Sequence, residues 1–513
     1  MWPGRAETFW DLLRRIAAAA PNHEAIVRGA DRMTFGAWHA RAAAYAAWFH
    51  SRGVGRGTRV ALWMEASPEY AAALFGVWGA GGVPVLLDVK VRASHFLHAL
   101  ATVSPALVLR EAGLSLPAES PVADVVTDGV DGSHLPAAPC PPSLPTDPAS
   151  IVFTSGSTGL PKGVTQSHGA LVRGCRAVTG YLGVGDDDRL LCPIPWAFDY
   201  GYGQLLTTAM TGATHVIPEA PNPFAVTEAV ERERPTILAG LPSVFAFLLR
   251  GLSPLPKVDL SSIRTVTNTG GTVPRPILDE VRRLFGHARL FLNYGLTETY
   301  RTACLDPALV ATHPTSIGRP IPGVDVVIVR EDGSAADTGE EGEIVHRGDY
   351  ICLGYWNDSA STARAIRPDP LAVPGVPDAG RAFFTGDIGV IDEAGLLYFR
   401  GRRDALLKPM GVRVSPPEIE AHFYDSGLVS EIAVVGRKHD YLGDEVWAFV
   451  VPNAAGDDQT TRLREHARRT MSPYMAPQRY VIVEALPRTV SGKVDYPALR
   501  VDAERRASES VLP

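Results

Sequence analysis

The sequence predicts an α/β protein of at least two domains, and three observations carry that reading. At 513 residues the chain is longer than one hydrophobic core normally serves. Residues 60–64, 68–79 and 83–87 alternate between β-branched runs and a longer apolar run, the strand–helix–strand unit from which parallel sheets are built. Residues 339–346 and 348–356 mix apolar and polar positions in short runs between glycines, which suggests a small antiparallel, barrel-like β subdomain.

From residue 8 to 49 the apolar spacing is helical, with Phe9, Leu12, Leu13 and Ile16 on one face and Phe35, Trp38, Tyr45 and Trp48 further on, all expected in a core. Residues 107–109 read as a short strand, and the proline-rich stretch 135–148 as a surface connector. A helix is expected over 169–181 and strands over 190–195, 236–239 and 264–267. Towards the C-terminus, residues 434–435, 446–451 and 480–483 read as strands, and 416–424 and 461–470 as helices.

The net charge of -7 and near-zero mean hydropathy argue against nucleic acid or an anionic membrane as partner. Arg462, Arg464, Arg468 and Arg469 make one basic helical stretch, read first as a solvated face. Five cysteines without CxxC spacing suggest neither a disulfide framework nor a zinc site, and His95 with His98 lacks further ligands. The first 21 residues carry charges through their middle, so neither a signal peptide nor a spanning helix is expected, and the cytoplasm is the expected compartment.

The most informative stretch is 151–168, IVFTSGSTGLPKGVTQSH. Ile151, Val152 and Phe153 end a strand, and the run of hydroxyls and glycines after them leaves backbone N–H groups free. Thr154, Ser155, Gly156, Ser157, Thr158 and Gly159, with Lys162 adding a mobile charge, suit a phosphate-bearing ligand. A Walker loop is excluded, because Pro161 and Gly163 flank the lysine. A second cluster, PWAFDYGYG, sets Trp196, Phe198, Tyr200 and Tyr202 around Asp199 at an expected strand end, where open α/β sheets bind ligands; a core cluster with Asp199 as helix cap is the alternative. Gly270, Gly271 and Thr272 follow a strand and permit close backbone approach. The chain has only six lysines, and Lys162, Lys408 and Lys493 fall inside conspicuous motifs, as though a compact ammonium were required there.

The order of TSGSTGLPKG, FLNYGLTETY, FFTGD, GRRDALLKPMG and LPRTVSGKVDY resembles the AMP-forming acid ligases, a superfamily that includes acyl-CoA synthetases, peptide-synthetase adenylation domains and luciferases. The resemblance implies an α/β fold with a large N-terminal adenylation domain of stacked parallel-type sheets and a small β subdomain over 1–402. It implies a small, mobile α+β C-terminal domain over 403–513. It implies ATP and Mg2+ as cofactors, a small-molecule acid as substrate, and coenzyme A or an acyl or peptidyl carrier protein as acceptor in secondary metabolism. In these terms Lys493 is the catalytic lysine, acting with Thr297 and Glu298, and Glu298 is the magnesium ligand. Gly270, Gly271, Thr272, Asn293, Tyr294 and Gly295 would border the nucleotide. Asp387 and Arg402 would take the ribose, and Asp404 would be the hinge. Trp196, Phe198, Asp199, Tyr200 and Tyr202 would line the acid pocket, with Asp199 hinting at an amino acid or aminoaryl acid. One departure is that Pro409 and Met410 separate Lys408 from Gly411, which leaves thiol binding on that face open. Three other outcomes stay open: a fatty acid substrate, transfer to an amine including activation of nitrite towards an arylamine, and a degenerate nucleotide-binding module.

Overall fold

The computed structural model describes residues 7–138, 143–154, 160–249, 252–373, 375, 380–409, 412, 414–439, 443–453, 458–490 and 492–509. Two large sheets organise the first four hundred of these. In the first, the strands Glu24–Arg28, Thr214–Ile217, Arg189–Leu191, Ile237–Gly240, Thr265–Asn268 and Arg289–Tyr294 lie parallel in that order. Beyond Arg289–Tyr294 the sheet turns antiparallel through Ala303–Leu305 and Ser316–Pro320 into Leu397–Arg402, Arg381–Ile391, Gly342–Gly348 and Val324–Val329. This antiparallel extension is the expected small β subdomain as far as Gly342–Gly348, whereas within 349–356 only Gly354–Tyr355 is a strand and it pairs with Lys162–Ser167 of the other sheet.

The second sheet runs parallel through Pro148–Thr154, Val83–Leu87, Arg59–Trp63, Leu107–Arg110 and Asp124–Val126. Lys162–Ser167 folds back antiparallel on Pro148–Thr154, pairing Lys162 with Thr154. The stretch directly after the phosphate loop is therefore a strand, and the helix expected over 169–181 follows it as His168–Leu182.

The main core lies between the sheets. Leu62, Leu86 and Val152 from one sheet and Ile26 and Ile217 from the other close on the same helices, among them Phe9–Ala19, Phe35–Ser51 and Pro68–Gly79. The helix Pro68–Gly79 buries every residue except Glu69, which is why its sequence is apolar all round. Ser67 caps it by accepting the Tyr70 N–H at 3.1 Å. Gly76 allows the neighbouring helix to approach, since a Cβ there would lie 2.3 Å from Tyr45 Cβ. The helical reading of residues 8–49 holds at both ends but is interrupted by the antiparallel pair Glu24–Arg28 and Asp31–Thr34, which closes the edge of the first sheet.

After Leu407 the buried side chains form clusters of their own. They pack around a three-stranded sheet of Val429–His439, Gly443–Pro452 and Arg479–Ile482. Helices Pro416–Asp425, Gln459–Thr470 and Tyr496–Glu509 cover it. Among the described residues no helix is long and apolar enough to cross a membrane, and Cys175, Cys192, Cys304 and Cys352 are free thiols.

Candidate active site

The candidate site begins at the carboxyl ends of the parallel strands Thr265–Asn268 and Arg289–Tyr294, the edge at which open α/β sheets bind ligands. The chain leaves Thr265–Asn268 through Thr269 into Gly270, whose φ of +81° lies in the left-handed region. A Cβ on Gly270 would meet Leu241 Cδ2 at 2.8 Å and Lys493 Cε at 3.4 Å, with Nζ at 3.7 Å. The lysine from the far end of the chain therefore rests on this turn. The adjoining Gly492 sits over Ser243, whose Oγ would be 3.4 Å from an added Cβ. Gly271 and Thr272 are exposed beside it.

Arg289–Tyr294 leads through Gly295 into the 3-10 turn Thr297–Thr299. Asn293 braces the strand ends: its Nδ2 donates to Thr267 Oγ1 and Asn268 O, both at 2.9 Å, and its Oδ1 accepts from Tyr181 Oη at 2.5 Å. Glu298 is buried, and its Oε1 accepts from Tyr355 Oη at 2.8 Å. Burial pushes the Glu298 carboxyl above the usual range, opposed by that hydrogen bond. The Thr297 carbonyl accepts from the Gln166 amide.

Lys162 stands on the other side of Tyr355. Its ammonium lies 5.2 Å from the ring centroid and donates to Ser361 Oγ at 2.9 Å. Tyr355 thus separates the cation from the carboxylate. The residues Ser155, Gly156, Ser157, Thr158 and Gly159 lie outside the described residues, as do Met410 and Gly411.

A second carboxylate comes from the antiparallel extension. Asp387, on Arg381–Ile391, pairs in register with Arg402 on Leu397–Arg402. Its Oδ2 accepts from Tyr294 Oη at 2.6 Å, and Arg402 Nη1 stands 3.1 Å from Oδ1. That approach is within ion-pair distance but off hydrogen-bonding geometry, so Oδ1 is buried without a hydrogen bond. Burial raises the Asp387 carboxyl, with Arg402 pulling the other way. Arg402 Nε also reaches Asp404 at 3.5 Å, so the expected hinge residue touches the expected ribose contact.

The aromatic cluster divides. Trp196 and Tyr202 are buried in the main core, Trp196 against Tyr70 and His215 with ring centroids 5.6 and 5.3 Å away. Tyr200 is buried on the other face, its Oη donating to Thr267 O at 3.0 Å. Asp199 opens the helix Asp199–Thr211, half-buried between Phe198 and Tyr200, and has no hydrogen-bond partner among the described residues. It lies within electrostatic range of both Glu298 and Arg301. Tyr355 and Arg301 escaped the sequence reading. Tyr355 sits in a glycine-punctuated run with nothing to single it out, and Arg301 directly follows the TETY motif, where a charged residue beside buried strand ends was the available signal.

Two family models match the chain, that of the AMP-binding enzymes over residues 13–356 and that of their C-terminal domain over 418–493. The chain belongs to the AMP-binding enzyme family. The chain is 31% identical over 517 aligned positions to the L-proline--[L-prolyl-carrier protein] ligase of Streptomyces coelicolor, covering 93% of each chain. It is 32% identical over 458 residues to the probable non-canonical nonribosomal peptide synthetase CymA of Salinispora arenicola, covering 88% of this chain but 6% of that one. The chain likewise spans only 36% and 8% of two further synthetases it matches. In fold it superposes on the anthranilate CoA ligase AuaEII, solved with anthranoyl-AMP, with a TM-score of 0.88 at 23% identity, covering 98% and 99% of the two chains.

Proposed function

We propose that this ligase joins MgATP and an amino-bearing or aryl acid into an acyl-adenylate and then passes the acyl group to a thiol, that of coenzyme A or of a carrier protein. The observation that carries the reading is Asp199, a half-buried carboxylate at a helix start with no hydrogen-bond partner among the described residues. An ammonium or arylamine on the acid would supply the missing donor.

In the first step a carboxylate oxygen of the acid attacks the α-phosphorus of ATP. The bond to the bridging oxygen breaks, and pyrophosphate leaves with both electrons. Two anions meet in this step, and their repulsion grows as water is excluded. Lys493, resting against Gly270, supplies a compact positive charge there, and Thr297 adds a hydroxyl at the same edge. The Lys162 ammonium and the described end of the phosphate loop, Thr154, take the outer phosphates. Asp387 and Arg402 take the ribose: the buried Oδ1 of Asp387 has an unmet acceptor site, as binding a hydroxyl requires. Glu298 would hold Mg2+, being a buried oxygen donor with one protein hydrogen bond, and the ion when bound neutralises phosphate charge. In the second step the thiol sulfur attacks the adenylate carbonyl, loses its proton to solvent, and AMP departs. Between the two steps the C-terminal unit swings to bring Lys408 towards the site, Lys493 leaving with the loop that carries it.

Pyrophosphate release with a panel of amino, aryl and fatty acids, each with and without coenzyme A, a carrier protein or an amine, tests this. Release with amino-bearing or aryl acids, lost on Asp199→Ala for the amino-bearing ones, supports it. Product formed from fatty acids alone, or from an amine or nitrite without any thiol, overturns it.

A further inference from the structure

Arg301 is a buried charge that the fold leaves unpaired. It keeps only 6% of its surface exposed, and among the described residues no carboxylate comes within ion-pair distance of it. Its guanidinium lies 5.2 Å over the Tyr200 ring, and Nη1 donates to Thr269 Oγ1. Its Nε is buried with no partner. Asn268 Oδ1, on the residue before Thr269, is buried and unpartnered as well. Asp199 acts on it only from beyond ion-pair distance, and burying a guanidinium so weakly compensated is unfavourable unless an anion joins it.

The backbone is built to hold it there. Tyr300 has φ +56°, ψ -64°, a strained conformation for a residue with a side chain. That turn sends the Tyr300 side chain against Gly174 and Gly203, where added Cβ atoms would lie 2.7 Å from its Cδ1 and 3.5 Å from its Oη. The next residue, Arg301, is left between Tyr200 and Thr269. Tyr200 follows Asp199, and Thr269 precedes Gly270, on which Lys493 rests. Arg301 therefore stands where the acid's body lies if Asp199 and Lys493 mark its ends. A planar guanidinium fork suits two coplanar oxygens better than a lysine would.

Resting on the adenylation reading above, we infer that the acid carries a second carboxylate, distinct from the one activated, and that Arg301 binds it. The substrate class narrows to dicarboxylic acids, and with Asp199 to those that also bear an amine.

The test measures kcat/KM for pyrophosphate release with matched acids: aspartate against asparagine and 2-aminobutanoate, glutamate against glutamine and norvaline, isophthalate against 3-methylbenzoate. The wild-type enzyme should favour the dicarboxylate of at least one set by about 100-fold or more, because the analogue leaves the guanidinium unpaired. In Arg301→Leu that ratio should fall towards one, and Arg301→Lys should retain part of it. Thermal unfolding without ligand separates a recognition role from a structural one: Arg301→Leu should melt no lower than wild type. A wild-type enzyme that prefers the neutral member of every set, or an Arg301→Leu variant that melts lower and slows all acids alike, overturns the assignment and leaves adenylation standing. ATP binding with no pyrophosphate from any acid sinks both.

Discussion

Lys493→Ala separates the two half-reactions. The lysine is exposed, and among the described residues its ammonium has no ion-pair partner. Its backbone carbonyl, which accepts the Thr489 N–H at 2.8 Å, is unchanged by the substitution. The fold therefore loses little, within about 0.5 kcal/mol. Adenylation loses a preorganised positive group at the point where charge develops, a loss of roughly 100- to 1000-fold, or about 3–4 kcal/mol. The assay is exchange of labelled pyrophosphate into ATP with the best acid, beside thiol capture from a supplied acyl-adenylate. Exchange should fall by that factor while capture from the supplied adenylate changes less than about 3-fold. Exchange at the parental rate, or an equal fall in both assays, would refute the role given to Lys493 and the contact with Gly270 on which it rests.

Gly270→Ala should also slow exchange, by roughly 10- to 100-fold, because the new Cβ strains the +81° backbone and presses on Lys493; Gly271→Ala, which meets only Pro242 Cγ at 3.6 Å, is the mild control in the same assay. Asp387→Asn should raise the KM for ATP roughly 10- to 100-fold, read from initial rates, since it removes a charged acceptor shared with Tyr294 and Arg402. Glu420, which accepts from Val434 N–H at 2.8 Å and Tyr496 Oη at 3.0 Å, is pushed by burial from 4.5 to about 7. The folded form then keeps a proton that the unfolded form releases, so stability is greatest below about 4.5, falls as pH rises and levels off above about 7, by on the order of 3 kcal/mol in all. Urea unfolding followed by amide hydrogen exchange of the strands Val429–His439 and Gly443–Pro452 should show that fall between pH 5 and 8, and Glu420→Gln should flatten it.

Much of this architecture could be read from pattern because burial imposes period and length. The run 68–79 is helical to the residue, and 83–87 is a strand to the residue. The pair at 24–34 was hidden because Ala25, Ile26 and Val27 extend an apolar rhythm that helices on both sides share; pairing with Asp31–Thr34 and Thr214–Ile217 makes them a strand. The terminal helix Tyr496–Glu509 was missed because Leu499, Ala503 and Ala507 are its only buried residues, too small and sparse a stripe among charges. The cluster around Asp199 was ambiguous for another reason. An aromatic beside a carboxylate looks the same in a core as in a pocket, and tertiary packing alone sends Trp196 and Tyr202 one way and Asp199 the other.

The site's groups come from separate layers of the fold. Lys162 belongs to the second sheet, Gly270 and Glu298 to the parallel half of the first, Asp387 and Arg402 to its antiparallel extension, and Lys493 to the C-terminal unit. The two carboxylates are buried and pushed towards neutrality, so each gains from a cation that a neighbouring layer or a ligand provides. In the proposed reaction, groups fixed in the sheets would hold phosphate and ribose through both steps without moving. The one group needed for a single step would be the exposed lysine on a loop, which among the described residues is held by contact rather than by an ion pair. A charge that must arrive and depart costs least to move when no counter-ion in the protein has to be broken from it.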